Sequence, residues 1–256
     1  MLLAIDIGNT TVLVGVIDDG KIIKSWRLST ARNRTTDEYT IIIKGLFKSA
    51  TEVVSTSDID RAIISCVVPS LEMVFVGSVK ACFDLEPIVV GPGVKTGMAI
   101  LTDNPREVGA DRIVNAVAAY TRYKCAIIVV DLGTAATFDY ITANGEYAGG
   151  AIAPGITVSA DALFTRAAKL TRVELKRPSE VIGKSTRESL TSGLYYGFVG
   201  LVDGIVKRFK DELGRDIKVI ATGGAAKLIQ DASTTIDATD EFLVLKGLEI
   251  IDSLNR

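Results

Sequence analysis

With 256 residues, 48% of them hydrophobic and 23% charged, the chain holds enough apolar material for one large domain or two modest ones with buried cores. A formal net charge of -2 leaves no basic excess, which argues against a dedicated nucleic-acid binder. There is no histidine, so histidine triads and ordinary zinc hydrolase sites are excluded, and any general base must be Asp, Glu, Lys, Tyr or Cys.

From the N-terminus the residues predict strand, turn, strand, turn, strand. Residues 2–5 are apolar, Asp6-Ile7-Gly8-Asn9-Thr10 reads as a turn, and 12–17 is rich in β-formers. Asp18-Asp19-Gly20 is a hairpin signal, and 21–28 continues the sheet. A helix is expected over 36–50, with Asp37 and Glu38 in the first turn, where carboxylates suit the positive end of the helix dipole. Residues 62–68 read as a buried strand stopped by Pro69, 70–83 as a helix, and 88–90 as a strand before Gly91-Pro92-Gly93. Gly109-Ala110-Asp111-Arg112 then opens an amphipathic helix carrying Ile113, Val114, Val117 and Tyr120.

The second half repeats the opening. An apolar strand over 127–130 leads into Asp131-Leu132-Gly133-Thr134, then 135–141, then the turn Ala143-Asn144-Gly145. Asp6 and Asp131, Gly8 and Gly133, and Gly20 and Gly145 each lie 125 residues apart. One Asp-x-Gly match is common; a matching strand context with a second turn glycine at the same offset points to a duplicated domain. A strand over 217–221 runs into Thr222-Gly223-Gly224 and a helix, and helical patterns cover 189–212 and 245–254. The alternation is that of an α/β protein, divided at 1–120 and 121–256. No linker separates the halves, so a cleft between them is expected.

Cys66, Cys82 and Cys125 are scattered without CxxC spacing, which fits a reducing compartment better than a disulfide framework. The start, Met1-Leu2-Leu3-Ala4-Ile5-Asp6, has no basic region, and no apolar run approaches the ~20 residues of a membrane span. A soluble cytoplasmic protein that meets neither membrane nor nucleic acid is the expectation.

Asp6 stands at a strand mouth before a glycine that lets backbone approach a phosphate, with Asn9 and Thr10 as donors. Asp6 is a candidate Mg²⁺ ligand, since Mg²⁺ takes one or two carboxylates plus phosphate and water. Taken alone, the segment is equally a hairpin turn with a favourable Asx residue. Asp131-Leu132-Gly133-Thr134 is the same device, and two such hairpins facing each other would grip opposite sides of a polyphosphate. Thr222-Gly223-Gly224 suits a base and ribose lying against backbone, or a plain strand–helix turn. Asp111 is either a helix cap or a base, and Arg112 either a solvated charge or an anion clamp. Gly149-Gly150-Ala151-Ile152-Ala153-Pro154-Gly155 is too glycine-rich for an ordinary connection and is expected to line the cleft. The segment 91–97 lacks the GxxxxGK[ST] order, which removes a Walker-type NTPase. Arg166, Lys169, Arg172, Lys176 and Arg177 lie near helical spacing and read as a solvated face.

Segments 6–10, 91–97, 109–112, 131–135, 149–155, Thr186 with Ser192-Gly193, and 222–224 occur in the order seen in type III pantothenate kinases, which the chain resembles over almost its whole length. Gly109-Ala110-Asp111-Arg112 after Asn104-Pro105 is the most specific element. The resemblance implies the acetate and sugar kinase superfamily, with duplicated ribonuclease-H-like domains of the actin-like ATPase superfold around a cleft. It implies ATP-dependent phosphorylation of pantothenate to 4'-phosphopantothenate, the first step of coenzyme A biosynthesis.

By the same resemblance Asp111 is the catalytic base, and Gly109, Ala110, Asp111, Arg112 and Thr186 bind pantothenate, Arg112 matching its carboxylate. Asp6, Ile7, Gly8, Asn9, Thr10, Thr11, Val12, Leu13 and Thr134 bind ATP. Asp131 holds a monovalent cation, K⁺ or NH₄⁺, and the protein is a homodimer with the pantothenate pocket near the interface. One departure is Thr102, where many members carry tyrosine. Other readings on the same fold are a different small-alcohol kinase, an exopolyphosphatase-like hydrolase, or a non-catalytic ATP-sensing regulator.

Overall fold

Two five-stranded sheets organise residues 1–167 and 170–256, which this computed structural model describes. The first has β1 (Leu2–Ile7), β2 (Thr11–Asp18), β3 (Lys21–Ser29), β4 (Arg61–Cys66) and β5 (Ile88–Val89) in the order β3-β2-β1-β4-β5. The second has β6 (Ile127–Leu132), β7 (Ala135–Ile141), β8 (Tyr147–Pro154), β9 (Lys218–Thr222) and β10 (Ala238–Thr239) in the order β10-β9-β6-β7-β8. Read from β8, the second sheet has the strand order of the first. Strand directions also agree: β2 and β7 run antiparallel to both neighbours, and the remaining inner pairs are parallel.

The duplication extends to an irregularity that composition does not reveal. Val16 pairs with Lys24 and Ile17 with Ile22, which leaves Ile23 as an extra residue in β3. Tyr140 pairs with Gly149 and Ile141 with Tyr147, which leaves Ala148 as the extra residue in β8. These two bulges lie 125 residues apart. A bulge bends its strand and increases the local twist, so both sheets curl at the same place.

The helices are α1 (Thr36–Lys48), α2 (Pro69–Phe83), α3 (Ala110–Tyr123), α4 (Ile156–Arg166), α5 (Thr186–Leu213), α6 (Ala226–Ile229) and α7 (Leu243–Leu254). Strands β1 and β4 read as continuous apolar runs because helices cover both faces of their sheet. Leu3, Ile5 and Ile7 pack with Tyr39, Ile43 and Phe47 of α1 and Leu71, Phe75 and Val79 of α2. Helix α7 covers another part of the same sheet. Gly15 makes room for it, since a Cβ there would stand 2.5 Å from Leu245 Cδ1. In the second unit Phe198, Val199, Val202 and Val206 of α5 pack on Ile128, Val130, Val219 and Ala221.

Two compact units result: Met1–Met98 with Asp103–Ala118 and Leu243–Arg256, and Ala99–Thr102 with Ala119–Phe242. The division read from sequence at 120/121 grouped the last helix with the second half. In the structure α7 belongs to the first unit, where Arg61 pairs with Asp252 at 2.6 Å and the Gly20 N–H donates to Glu249 at 2.8 Å. Residues 149–155, read from sequence as too glycine-rich for an ordinary connection, belong almost entirely to strand β8. It is the last strand of its sheet, paired with β7 along its length and bridged on the other side only at Tyr147, to Ile100, and Gly149 takes φ +120° beside the bulge. Of the basic residues read at helical spacing, Arg166 ends α4, whereas Arg172, Lys176 and Arg177 are exposed in an irregular segment. Lys169 lies outside the described residues. Among the described residues no helix is long and apolar enough to cross a membrane.

Asp203 on α5 closes the loop between α6 and β10. Its Oδ1 accepts from the Ser233 and Thr235 hydroxyls at 2.6 and 2.8 Å, and Oδ2 from the N–H and hydroxyl of Thr234, both at 3.0 Å. Burial alone pushes this carboxyl up, but the four donors outweigh it and hold the group below the usual aspartate range. A carboxyl depressed in the folded state stabilises fully above its unfolded value, about 3.9. That contribution fades as pH falls through the lower folded value. Asp203→Asn is therefore expected to lower Tm at pH 7, and the gap to wild type should shrink below about pH 4. Thermal melts from pH 7 to 3 test this; a gap that widens in acid would refute it.

Candidate active site

Strand β1 runs two residues further than its apolar pattern, so Asp6 is a strand residue rather than part of the turn. It stands opposite Leu13 of β2 and Ser65 of β4 in the sheet register. Ile7, Val12 and Leu13 are buried and hold the hairpin by their packing. The loop between β1 and β2 is Gly8-Asn9-Thr10, closed by the Gly8 N–H donating to the Thr11 carbonyl at 3.0 Å. Asn9, Thr10 and Thr11 are exposed at the sheet end.

Asp111 is the second residue of α3, one place beyond the helix's first residue, Ala110. Its Oδ1 accepts the N–H of Arg112 at 2.8 Å. Gly109 makes this placement possible: a Cβ there would lie 2.6 Å from Asp111 Oδ1 and 3.6 Å from Val67 Cγ1. Val67 follows β4 and donates its N–H to the Ile7 carbonyl at 3.0 Å. Asp111 therefore stands at the C-terminal end of the parallel strands β1 and β4, the end that carries the Asp6 hairpin. In open α/β sheets that end is where ligands bind. Arg112, half-buried, follows it on the same turn.

Cys66 at the end of β4 donates to the Val68 carbonyl at 3.2 Å. Burial pushes its thiol up, the bond to Val68 opposes this, and the charges of Glu72 and Asp6 add to the rise. A thiol shifted this way favours its neutral form.

In the second unit Asp131 lies in β6, opposite Thr137 of β7 and Thr222 of β9. The Gly133 N–H donates to the Ala135 carbonyl at 3.0 Å, closing a hairpin one residue shorter than the first. Thr134 is exposed at its tip, and its carbonyl accepts the Gly155 N–H at 3.1 Å. Gly155 admits no side chain, because a Cβ would strike the carbonyls of Gly133 and Thr134. Gly223, at φ +87°, passes directly over Asp131, and a Cβ there would strike Asp131 Oδ1 and Leu132. The Ala225 N–H completes the contact by donating to the Leu132 carbonyl at 3.0 Å. The helix expected after Gly224 is the four-residue α6.

Thr186, exposed, is the first residue of α5 and is held by the capping box of Ser185 and Glu188. The structure thus gathers Asp6–Leu13 with Gly109–Arg112 in the first unit, and Asp131 and Thr134 with Gly155 and Gly223 in the second. Thr186 stands on a separate element of the second unit. The Thr102 hydroxyl is buried and has no hydrogen-bond partner among the described residues. Sequence reasoning singled out the glycine-rich segment ending at Gly155 but missed that it and Thr30 brace the two hairpins. The usable signal was their spacing, again 125 residues.

Among the described residues no group of three or more Cys, Asp or Glu side chains could cage a metal alone. Asp6 and Asp131 are single hard oxygen donors at strand ends, a donor set that fits a cation whose remaining ligands are phosphate and water.

The model of the type III pantothenate kinase family matches residues 2–208. The type III pantothenate kinase of Pelobacter propionicus is 53% identical over 256 residues, covering 100% of both chains. Among solved structures, a Campylobacter jejuni protein assigned to the Baf family of transcriptional activators aligns with 99% of this chain and 98% of its own, with a TM-score of 0.60 and 20% identity. An Arthrobacter inorganic polyphosphate/ATP-glucomannokinase aligns with 99% and 97%, with a TM-score of 0.52 and 14% identity. These two structures are alike in fold alone, and with the repeated sheet order they place the chain in the duplicated actin-like ATPase fold.

Proposed function

Because this chain belongs to the type III pantothenate kinase family, we infer that it transfers the γ-phosphate of ATP to the hydroxyl of pantothenate, the first step of coenzyme A biosynthesis. The observation that carries this reading is 53% identity to such a kinase over the full length of both chains.

Asp111 takes the proton of the pantothenate hydroxyl as that oxygen attacks phosphorus. Its bond to the Arg112 N–H holds the side chain at the sheet end. Arg112 binds the pantothenate carboxylate, Gly109 and Ala110 line the substrate, and Thr186 completes its site. The hairpin from Asp6 to Leu13 and Thr134 hold the ATP phosphates, leaving positioning and charge neutralisation as the main work. Asp6 is the protein ligand for Mg²⁺, and Asp131 for a monovalent cation, K⁺ or NH₄⁺. When bound, such ions offset negative charge on the phosphates. The enzyme works in the cytoplasm as a homodimer; exposed Ile152 on edge strand β8 and Leu163 on α4 support a second copy.

ADP release is expected only when pantothenate is present. Exchange of potassium for sodium should lower turnover sharply, and Asp131→Asn should flatten that dependence. A coupled assay in both salts tests the reading. ATP hydrolysis indifferent to pantothenate would overturn the activity, and equal rates in both salts would remove the cation from Asp131.

A further inference from the structure

We propose that Arg32 is a positioning residue for ATP: its guanidinium turns the Asn9 carboxamide so that the NH₂ group faces away from it, as the donor to a phosphate oxygen. This deepens the nucleotide site proposed above and rests on that reading of the Gly8-Asn9-Thr10 hairpin.

The segment after β3 reaches back to the hairpin with one bond for each loop residue. The Thr30 hydroxyl donates to the Gly8 carbonyl at 2.7 Å, the Thr30 N–H to the Thr10 carbonyl at 3.0 Å, and Arg32 Nη2 to Asn9 Oδ1 at 2.8 Å. This brace is itself anchored. The Tyr39 hydroxyl accepts the Ala31 N–H and donates to the Ala31 carbonyl, both at 3.1 Å, and the Tyr39 side chain is fully buried. Helix α1, which carries Tyr39, begins at the capping box of Thr35 and Glu38. Arg32 therefore works from a backbone tied to the core.

Asparagine needs such a partner. Its carboxamide has almost the same shape either way round, but one end accepts and the other donates. A phosphate oxygen accepts only, so Asn9 with its oxygen outward repels the ligand it is meant to hold. A guanidinium has donors and no acceptor, so it can bond only the oxygen, and doing so turns Nδ2 the other way. The bond also polarises the carboxamide and strengthens its remaining N–H donors.

The second hairpin is an internal control. Gly155, 125 residues after Thr30, repeats the backbone bond by donating to the Thr134 carbonyl at 3.1 Å. Because the second hairpin is one residue shorter, this bond puts Thr134 in the place of Thr10; no residue takes the place of Asn9, and Thr157 stands 125 residues after Arg32. A threonine hydroxyl rotates and can donate or accept without help. The brace is kept in both halves, and the arginine occurs only where the tip side chain has a wrong way round.

The test is a double-mutant cycle of Asn9→Ala, Arg32→Met and the pair, in the full chain. The readouts are the dissociation constant of a non-hydrolysable ATP analogue by calorimetry, KM for ATP and for pantothenate, and Tm. Loss of a hydrogen bond to a charged group predicts about tenfold weaker analogue binding for Asn9→Ala and a comparable loss for Arg32→Met. The double variant should be little weaker than either single, because Arg32 then has nothing to orient. Arg32→Lys, which keeps a donor, should recover part of the affinity, with KM for pantothenate and Tm close to wild type. Effects that multiply in the double variant would overturn the proposal, as would an Arg32→Met that binds normally. A Tm loss that Arg32→Lys does not recover would assign Arg32 to the fold and overturn it too. If Asn9→Ala alone binds the analogue normally, the hairpin is not the phosphate site, and both readings fail.

Discussion

Asp111→Asn is expected to cut kcat by roughly 10²–10⁴ with a nearly unchanged Tm. Asparagine keeps the shape of the side chain and an oxygen that can still accept the Arg112 N–H, so the local bond at the start of α3 survives. What is lost is a negative charge in the first turn of a helix, worth about 0.3–1 kcal/mol of stability, and the group that takes the proton. ATP affinity should persist, because the hairpin from Asp6 to Leu13 is untouched. Steady-state kinetics and thermal melting on one preparation separate the two roles. Near-normal turnover would return Asp111 to a structural part at the helix start.

Asp6→Asn should lower kcat/KM on the order of 10²–10³, since a metal held at the transferring phosphates is worth several kcal/mol of transition-state stabilisation. Asp6 is held in the sheet by backbone pairing with β2 and β4, which asparagine leaves intact. The Mg²⁺ concentration needed for half-maximal rate should rise, and Tm should stay near that of wild type. A variant that melts early and responds to Mg²⁺ as wild type does would make Asp6 a structural residue.

Much of the site was legible because its parts are local. Asp6-Ile7-Gly8-Asn9-Thr10 and Asp131-Leu132-Gly133-Thr134 are recognisable from turn chemistry beside apolar strands, and their common offset exposes the duplication. The hairpin signal at Gly20 and Gly145 is confirmed by φ +77° and +81° at those positions. That residues 149–154 form a strand was not legible, because glycine is a poor guide to strands. Only the register with β7 shows that they continue a strand.

By itself the sequence determined the alternation of elements, the repeat, and which acids stand at strand mouths. Periodicity and turn preference depend on residues a few places apart, so one chain carries them in plain view. Tertiary structure alone decided that α7 covers the first sheet, where Leu245 lies on Gly15. It also decided that Gly223 passes over Asp131, that Gly109 makes room for the Asp111 carboxylate beside Val67, and that Thr30 and Arg32 brace the first hairpin. Those contacts join surfaces from distant parts of the chain. An amphipathic helix or a loop arginine specifies what kind of surface it needs, and packing selects which one it meets.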